Sequence, residues 1–251
     1  MLLRGYSGIL ARFMADDQQK PAFDFTEEQL QAIKMWRLAW MPLRIILGLA
    51  FFSLVAGGFG PFFRSTPGKV FAALFVTMVV VERLVQYPDA GGRRRDRGSV
   101  VVLWCGFGFS YMLAIVDYFW FPAGWKLLEW NPWYLPAGAG IYALGQAIRV
   151  VAIRTLGKFF TVSVRLKSDH RVVQHGIYRR IRHPAYTGLW LIALGFITLF
   201  ASAAAYVYFV TIGTASLLYR IRVEERALQA EFGDEYTAYM RRTRRLVPWL
   251  L

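Results

Sequence analysis

Two polar clusters flank one long apolar stretch near the end of the chain, and their residue types suit the binding of charged groups. The first cluster is Arg182-His-Pro-Ala-Tyr186, and the second contains Arg220 and Glu224. Because Pro184 suits the first position of a helix, His183 is predicted to cap that helix, beside free amide donors and the positive end of the helix dipole. Arg220 and Glu224 are i, i+4 neighbours with opposite charges. The two clusters predict a site for a zwitterionic ligand, or for two ligands of opposite charge.

Each cluster also has an interpretation that involves no ligand. A histidine that caps a helix is common, and Arg222, Glu225 and Arg226 are typical of a solvated helix end. The three histidines His170, His175 and His183 lack cysteine or acidic partners at ligand spacing, so no metal site is predicted. On spacing alone, ligand binding and a solvated helix end both remain open.

The composition places these clusters in a membrane protein. The 251 residues are 56% hydrophobic and yet carry a net charge of +14, a combination that membrane spans and basic cytoplasmic loops explain. Apolar runs of spanning length lie at 38–63, 69–88, 99–121 and 133–153. A further run, 185–219, is too long for one span and has Ala201-Ser-Ala203 near its middle, which predicts a tight helical hairpin. The fold class predicted is therefore an all-α, polytopic helical bundle of about six spans.

Positive charge assigns the sides of this predicted bundle. Arginine and lysine follow the second, fourth and last spans, whereas the alternate connections 61–69 and 122–132 hold few of them. This asymmetry predicts that both termini and the basic loops face the cytoplasm. Topogenic charge also explains the basic loops more simply than nucleic-acid binding does, so no nucleic-acid partner is predicted.

Several polar residues fall within or beside the predicted spans. Tyr142, Gln146 and Arg149 share one helix face, which makes a polar pocket near Arg149 plausible. Glu82 and Arg83 end the second run and are predicted to reach the interface as a snorkelling pair. The sole cysteine, Cys105, is predicted to be a buried, inert thiol.

The chain divides into three predicted parts. Residues 1–37 form an N-terminal amphipathic segment, in which a helix at 2–13 lies in the interface and Thr26-Glu-Glu-Gln29 forms a capping box. Residues 38–130 form N-terminal transmembrane helices, and residues 131–251 form the core that carries the polar clusters. From Gly157 to Tyr178 the helical pattern stops, which predicts an extended loop that folds back over the bundle.

Taken together, these motifs resemble the isoprenylcysteine carboxyl methyltransferase family, within the wider group that includes membrane phospholipid methyltransferases. The matching positions run from about Gly138 to Trp249, and residues 1–130 carry no recognised motif. The matching motifs are Arg149, Leu156-Gly-Lys-Phe-Phe160, His170-Arg-Val-Val173, Gly176-Ile-Tyr178, Arg182-His-Pro-Ala-Tyr186, Arg220 with Glu224-Glu225, Phe232-Gly-Asp-Glu-Tyr236-Thr-Ala-Tyr239 and Pro248-Trp249.

The resemblance implies a cytoplasmic site for S-adenosylmethionine built from the loop and the hairpin. A family glutamine that also contacts this cofactor is Ser163 here. Arg220 matches the family position that orients an acceptor carboxylate. Glu224 matches the position that binds the charged amino-acid end of the cofactor. Arg149 is a further candidate for substrate binding. The other implied cofactor contacts are His170, Arg171, Val172, Val173, Tyr178, His183, Pro184, Ala185 and Tyr186.

The acceptor class is the least determined part of this interpretation. A carboxylate acceptor is already ionised at neutral pH and needs no general base, whereas an amine must lose a proton, and only His183, Glu224 and Glu225 are candidate bases. This favours O-methylation of a lipidated or small amphipathic acid. The alternatives are methylation of a lipid amine or thiol, and, in another class, a sterol-type membrane reductase or a non-catalytic membrane protein.

Overall fold

The computed structural model of the chain describes residues 26–86, 93–94, 98–122, 126–161, 165–166 and 171–246. The predicted interfacial helix at 2–13, and the positions His170 and Ser163, lie outside the described residues. Within those residues the fold is all-α, as the sequence predicts, apart from one pair of two-residue strands. The α-helices are α1 (Glu27–Ala39), α2 (Met41–Val55), α3 (Phe59–Arg64), α4 (Thr66–Val85), α5 (Ser99–Trp120), α6 (Tyr134–Leu156), α7 (Pro184–Thr198), α8 (Ala203–Tyr208), α9 (Thr214–Phe232) and α10 (Asp234–Arg242).

Local sequence signals determine where several helices begin. The predicted capping box is present at α1, because the Thr26 side chain accepts from the Gln29 amide while the Gln29 side chain accepts from the Thr26 amide. Helix α4 begins after Ser65, whose hydroxyl accepts a hydrogen bond from the Gly68 amide at 3.0 Å. These side chains bind amide groups that have no partner within the helix.

The described parts of the connection between α6 and α7 are short helical and extended pieces. The connection begins with a 3₁₀ turn at Gly157–Phe159, contains strand β2 (Arg165–Leu166), and ends with a second 3₁₀ turn at Gly176–Arg179. Strand β2 pairs antiparallel with β1 (Arg93–Arg94), which lies in the connection between α4 and α5. Gly176 has a φ of 59°, a conformation that glycine adopts without a steric penalty.

Among the described residues, four helical segments are long and apolar enough to cross a membrane, which identifies an integral membrane protein. The predicted count of six spans is not confirmed. Helix α4 carries Lys69, Glu82 and Arg83, and α7 has only 15 residues. The four segments are Gln31–Val55, Ser99–Trp120, Tyr134–Phe159 and Ala203–Phe232.

Helices α6 and α7 pack at very short range because glycines line their contact. A methyl group added to Gly188 would lie 2.6 Å from the Gly145 carbonyl oxygen, and one added to Gly195 would lie 2.7 Å from the Gly138 carbonyl oxygen. Close approach of two backbones through small residues is a common solution for helix packing in membranes. This contact holds the start of α7 against the C-terminal half of α6, where the candidate site lies.

The last apolar run folds as the predicted hairpin. Helix α7 ends at Thr198, and the chain reverses through Ala201, which has a φ of 52°, before Ser202 caps α8. The Ser202 hydroxyl accepts a hydrogen bond from the Ala205 amide at 3.1 Å. A π-helical segment, Phe209–Gly213, then joins α8 to α9. The hairpin therefore returns α9 to the same end of the bundle as the start of α7.

Aromatic side chains fill the core between the two halves of the chain. Phe71 of α4 is fully buried, and its ring centroid lies 4.8 Å from that of Phe196 on α7.

The prediction that Cys105 is buried is wrong, because this thiol is exposed on α5. The outer surface of a membrane helix contacts lipid, so an apolar side chain can lie there without an energetic penalty.

Candidate cofactor and acceptor site

One cavity, with a volume of about 150 Å³, lies where the long loop, α5, α6, α7, α9 and α10 meet. One part of its wall is apolar and another part carries charged and hydroxyl groups, a combination typical of small-molecule sites. The residues that line it are Val100, Leu103, Trp104, Arg149, Leu156, Phe159, Phe160, Thr161, Arg171, Val172, Val173, Tyr178, Arg182, His183, Ala185, Tyr186, Leu189, Arg220, Glu224, Leu228, Tyr236 and Tyr239.

The start of α7 forms one wall of this cavity. His183 is the N-cap residue and Pro184 occupies the first helical position, as predicted. The segment is held by the C-terminal tail, because the His183 amide donates to the Arg245 carbonyl at 3.0 Å and the Arg182 amide donates to the Arg244 carbonyl at 2.7 Å. The tail thereby fixes the backbone on which His183 and Tyr186 stand.

A hydroxyl group joins Arg220 to Glu224 inside the cavity. The Tyr186 hydroxyl donates to Glu224 Oε2 at 2.6 Å and accepts from Arg220 Nε at 3.0 Å. Arg220 is only 1% exposed, and its Nη1 donates to the Ser99 hydroxyl on α5 at 2.6 Å. Hydrogen bonds between charged and neutral groups hold all four side chains in fixed positions. The predicted plus/minus pair on one helix face therefore exists, and both members line the cavity.

Glu225 does not lie at a solvated helix end, so that interpretation is wrong for this residue. It is 3% exposed, and its Oε1 accepts from Arg182 Nε at 3.0 Å while its Oε2 lies 3.0 Å from Arg245 Nη2. His183 Nε2 lies 3.4 Å from Glu225 Oε1, and His183 Nδ1 lies 4.0 Å from Glu224 Oε1. The carboxylate is buried because two arginines compensate its charge.

Glu82 is also placed differently from the snorkelling position that the sequence predicts. Its carboxylate forms a two-point ion pair with Arg149, with Arg149 Nη2 3.1 Å from Glu82 Oε2. Arg149 Nη1 donates to the Ala185 carbonyl at 3.0 Å, and the Arg149 guanidinium lies over the Phe160 ring. The pairing removes the need for either charge to reach the interface, since each neutralises the other.

The end of the long loop covers the remaining side of the cavity. Val173 and Tyr178 are buried, and the Arg171 guanidinium lies 5.7 Å from the centroid of the Phe159 ring. The Tyr239 hydroxyl of α10 donates to the Tyr178 carbonyl at 2.8 Å. Burial raises the pKa of the Tyr178 hydroxyl well above its ordinary value, and raises the pKa of Tyr239 to about 12. Both hydroxyls are therefore neutral donors at physiological pH.

Most of the candidate residues predicted from the sequence meet in this one cavity. Pro184 is buried and occupies the first position of α7, and it does not line the cavity. The position of His170 is not described. The predicted residues that line the cavity are Arg149, Arg171, Val172, Val173, Tyr178, His183, Ala185, Tyr186, Arg220 and Glu224.

The sequence did not predict the contacts by which Ser99, Glu82, Glu225 and Tyr239 support the site. Ser99 and Glu82 come from the half of the chain that carries no recognised motif, and they reach Arg220 and Arg149 across large sequence separations. Glu225 and Tyr239 come from the C-terminal part. The charge of Glu82 in an apolar helix was a usable signal, because an intramembrane charge normally has a partner in the bundle.

The family comparison matches this region. Residues 138–230 match the model of the isoprenylcysteine carboxyl methyltransferase family. A solved structure of the eukaryotic intramembrane Ras methyltransferase, isoprenylcysteine carboxyl methyltransferase, is similar with 21% identity and a TM-score of 0.48, over 99% of this chain and 90% of the other.

Several curated relatives share the same region. Protein-S-isoprenylcysteine O-methyltransferase B of Arabidopsis thaliana is 26% identical over 57% of this chain and 74% of its own length. A probable protein-S-isoprenylcysteine O-methyltransferase of Oryza sativa subsp. indica is 30% identical over 47% of this chain and 63% of its own. The protein-S-isoprenylcysteine O-methyltransferase of Saccharomyces cerevisiae is 34% identical over 45% of this chain and 48% of its own, so the chain spans about half the length of that relative. The resemblance to the isoprenylcysteine carboxyl methyltransferase family, predicted from the motifs, is thereby confirmed for residues 138–230.

Proposed function

We propose that this integral membrane protein is an S-adenosylmethionine-dependent methyltransferase that O-methylates the carboxylate of a lipidated, prenylcysteine-like or small amphipathic acceptor. The observation that carries the proposal is the Arg220–Tyr186–Glu224 arrangement, which presents a fixed cation and a fixed anion to one cavity. The arrangement lies within the family match, and relatives that share this match are named O-methyltransferases. The basic loops support a site that faces the cytoplasm, with both termini on that side.

The described side chains fit the cofactor by charge. Glu224 lines the cavity and keeps 28% of its side chain exposed, so its carboxylate is accessible to a cationic ammonium group. We assign the rest of the cofactor to Tyr178, Arg171–Val173, the start of α7 (His183–Tyr186), and His170. S-adenosylmethionine, when bound, supplies an electrophilic methyl group beside these residues.

The acceptor end of the cavity is built differently. Arg220 offers N–H groups to one oxygen of an acceptor carboxylate, which leaves the other oxygen as the nucleophile. Val100, Leu103 and Trp104 on α5 supply an apolar wall for a lipid chain. A carboxylate is ionised at neutral pH, so the protein contributes positioning and exclusion of water rather than a general base. Arg149, which also lines the cavity, is assigned to the polar part of the acceptor.

A second candidate is methylation of a lipid amine or a thiol by the same site. The observation that favours it is His183, which lines the cavity beside two carboxylates, at 3.4 Å from Glu225 and 4.0 Å from Glu224. A histidine is a common general base, which an amine or thiol acceptor would need. The product distinguishes the two candidates, because base hydrolyses a methyl ester to methanol and leaves a methylamine or thioether intact.

The test is turnover of labelled S-adenosylmethionine with a prenylcysteine analogue, using purified protein in nanodiscs. Arg220→Ala is expected to lower kcat/KM for the acceptor at least about 30-fold, since truncating one partner of a buried charge contact costs about 2 kcal/mol or more. The matched control is Arg222→Ala, which removes an exposed arginine from the same helix. Base-labile product from the wild type supports carboxyl methylation. Undiminished turnover by Arg220→Ala removes the carboxylate-orienting role.

A further inference from the structure

A chain of polar contacts leads from the first half of the protein to the cavity. Glu82 on α4 binds Arg149 on α6 through two contacts, and Arg149 Nη1 donates to the Ala185 carbonyl on α7. The side-chain amide of Gln86, the residue after α4, also donates to the Glu82 carboxylate, and Arg37 on α1 donates to Gln86 Oε1 at 3.2 Å. Three N–H donors therefore fix the Glu82 carboxylate.

The position of this chain matters because of where it ends. Ala185 lies between His183 and Tyr186, in the first turn of α7. Arg149 and Ala185 both line the cavity, whereas Glu82 does not, so Glu82 acts on the cavity through Arg149. Glu82 and Arg149 are largely buried, with 17% and 10% of their side chains exposed. Removing two charges from water costs free energy, and close hydrogen-bonded contacts between the charged groups are needed to offset that cost.

We propose that Glu82 is a positioning residue of the methyltransferase site, although it lies outside the region that matches the family. By orienting Arg149, it fixes the Ala185 carbonyl and with it the first turn of α7, which we assign to the cofactor. The inference rests on the proposed function. It assigns a role to α4, because the bond from Arg149 to the Ala185 carbonyl holds the first turn of α7 from the side of α6, in addition to the glycine contacts and the bonds from the C-terminal tail.

The glycine contacts and the Arg149 bond act on different parts of the α6–α7 contact. Gly145 and Gly188 set the distance between α6 and α7 near Arg149, and a side chain at either position would collide with the opposite backbone. Loss of the Glu82 carboxylate therefore leaves the two helices in contact. It frees the Arg149 guanidinium to leave Ala185, and a small misplacement of binding groups is enough to reduce affinity and rate strongly.

The experiment compares Glu82→Gln, which keeps the shape of the side chain, with Glu82→Asp, which keeps its charge. The matched control is Glu129→Gln, an exposed position in the connection before α6. Full-length proteins in nanodiscs are titrated calorimetrically with S-adenosylhomocysteine, the demethylated product of the cofactor. We expect Glu82→Gln to raise the Kd about 10-fold or more with an unchanged number of sites, as the loss of a charged hydrogen bond predicts. Glu82→Asp is expected to recover part of the affinity.

Affinity and stoichiometry separate positioning from folding. A purely structural role lowers the fraction of folded protein, and so lowers the number of sites while the Kd of the remaining sites stays at the wild-type value; that result overturns the inference. So does a Glu82→Gln Kd within about 2-fold of the Glu129→Gln control. If the wild type itself shows no affinity for the product, the proposed function fails, and the role of Glu82 fails with it.

Discussion

The hydroxyl of Tyr186 is the smallest group whose removal tests the candidate site. It donates to Glu224 Oε2 at 2.6 Å and accepts from Arg220 Nε at 3.0 Å. Tyr186→Phe removes both hydrogen bonds and keeps the ring, which packs against His183 with a centroid distance of 5.6 Å. The change therefore removes the hydroxyl that links Arg220 to Glu224 and keeps the apolar packing, while Arg220 keeps its bond to Ser99.

The magnitude follows from the burial of the two partners. A hydrogen bond to a charged group contributes about 1.5–3 kcal/mol. The cost of losing it is greatest when the charged group that remains is buried. Arg220 is 1% exposed and Glu224 keeps 28% of its side chain exposed, so the loss of the hydroxyl costs more at Arg220 than at Glu224. We therefore expect a combined cost of about 2–3 kcal/mol, which lowers kcat/KM by about 30- to 150-fold.

The assay is initial-rate methylation of a prenylcysteine analogue with labelled S-adenosylmethionine, together with thermal unfolding of the same samples. The matched control is Tyr206→Phe, which removes a hydroxyl that donates to Thr198 Oγ1 at 2.9 Å, near the hairpin turn. This control should lose about 1 kcal/mol of stability and keep its catalytic rate. A kcat/KM for Tyr186→Phe within a factor of about two of the control refutes the bridging role.

Two further predictions concern stability. Gly188→Ala should lower the free energy of unfolding by about 1–3 kcal/mol, because the new methyl lies 2.6 Å from the Gly145 carbonyl oxygen. The control Gly140→Ala should not destabilise the protein, because the space around Gly140 is open. Equal thermal midpoints for the two variants would contradict the close packing of α6 and α7. Burial raises the pKa of the Tyr239 hydroxyl from 10.0 to about 12. The hydroxyl should therefore stabilise the protein fully below about pH 10, and this contribution should be lost as the pH rises through 12. The loss of stability measured between these pH values should be smaller in Tyr239→Phe than in the wild type; an identical loss in both proteins would exclude this contribution.

Local signals in the sequence predicted the features that depend on neighbouring residues. The capping box at Thr26, the turn at Ala201 and the position of His183 before Pro184 each follow from residue types within one helical turn. The i, i+4 spacing of Arg220 and Glu224 likewise predicted that these two residues are neighbours on one helix face. These features needed no knowledge of the tertiary fold.

The remaining parts of the site depend on which helices meet. Glu82 lies near the end of an apolar helix, where a snorkelling charge and a buried partner give the same sequence pattern, and only the contact between α4 and α6 shows that Arg149 is the partner. Glu225 lay in a charged stretch that resembled a solvated surface until the C-terminal tail was seen to bring Arg245 to it. Ser99 gave no signal of its own, because a serine at a helix start is common.

The most direct test of the account is a calorimetric titration of the wild-type protein in nanodiscs with S-adenosylhomocysteine, repeated with Glu224→Gln. The account predicts saturable binding to the wild type and weaker binding to Glu224→Gln, because the neutral side chain no longer attracts the ammonium group of the ligand. Absence of binding to the wild type, or equal affinity in both proteins, would contradict the assignment of this cavity to the cofactor.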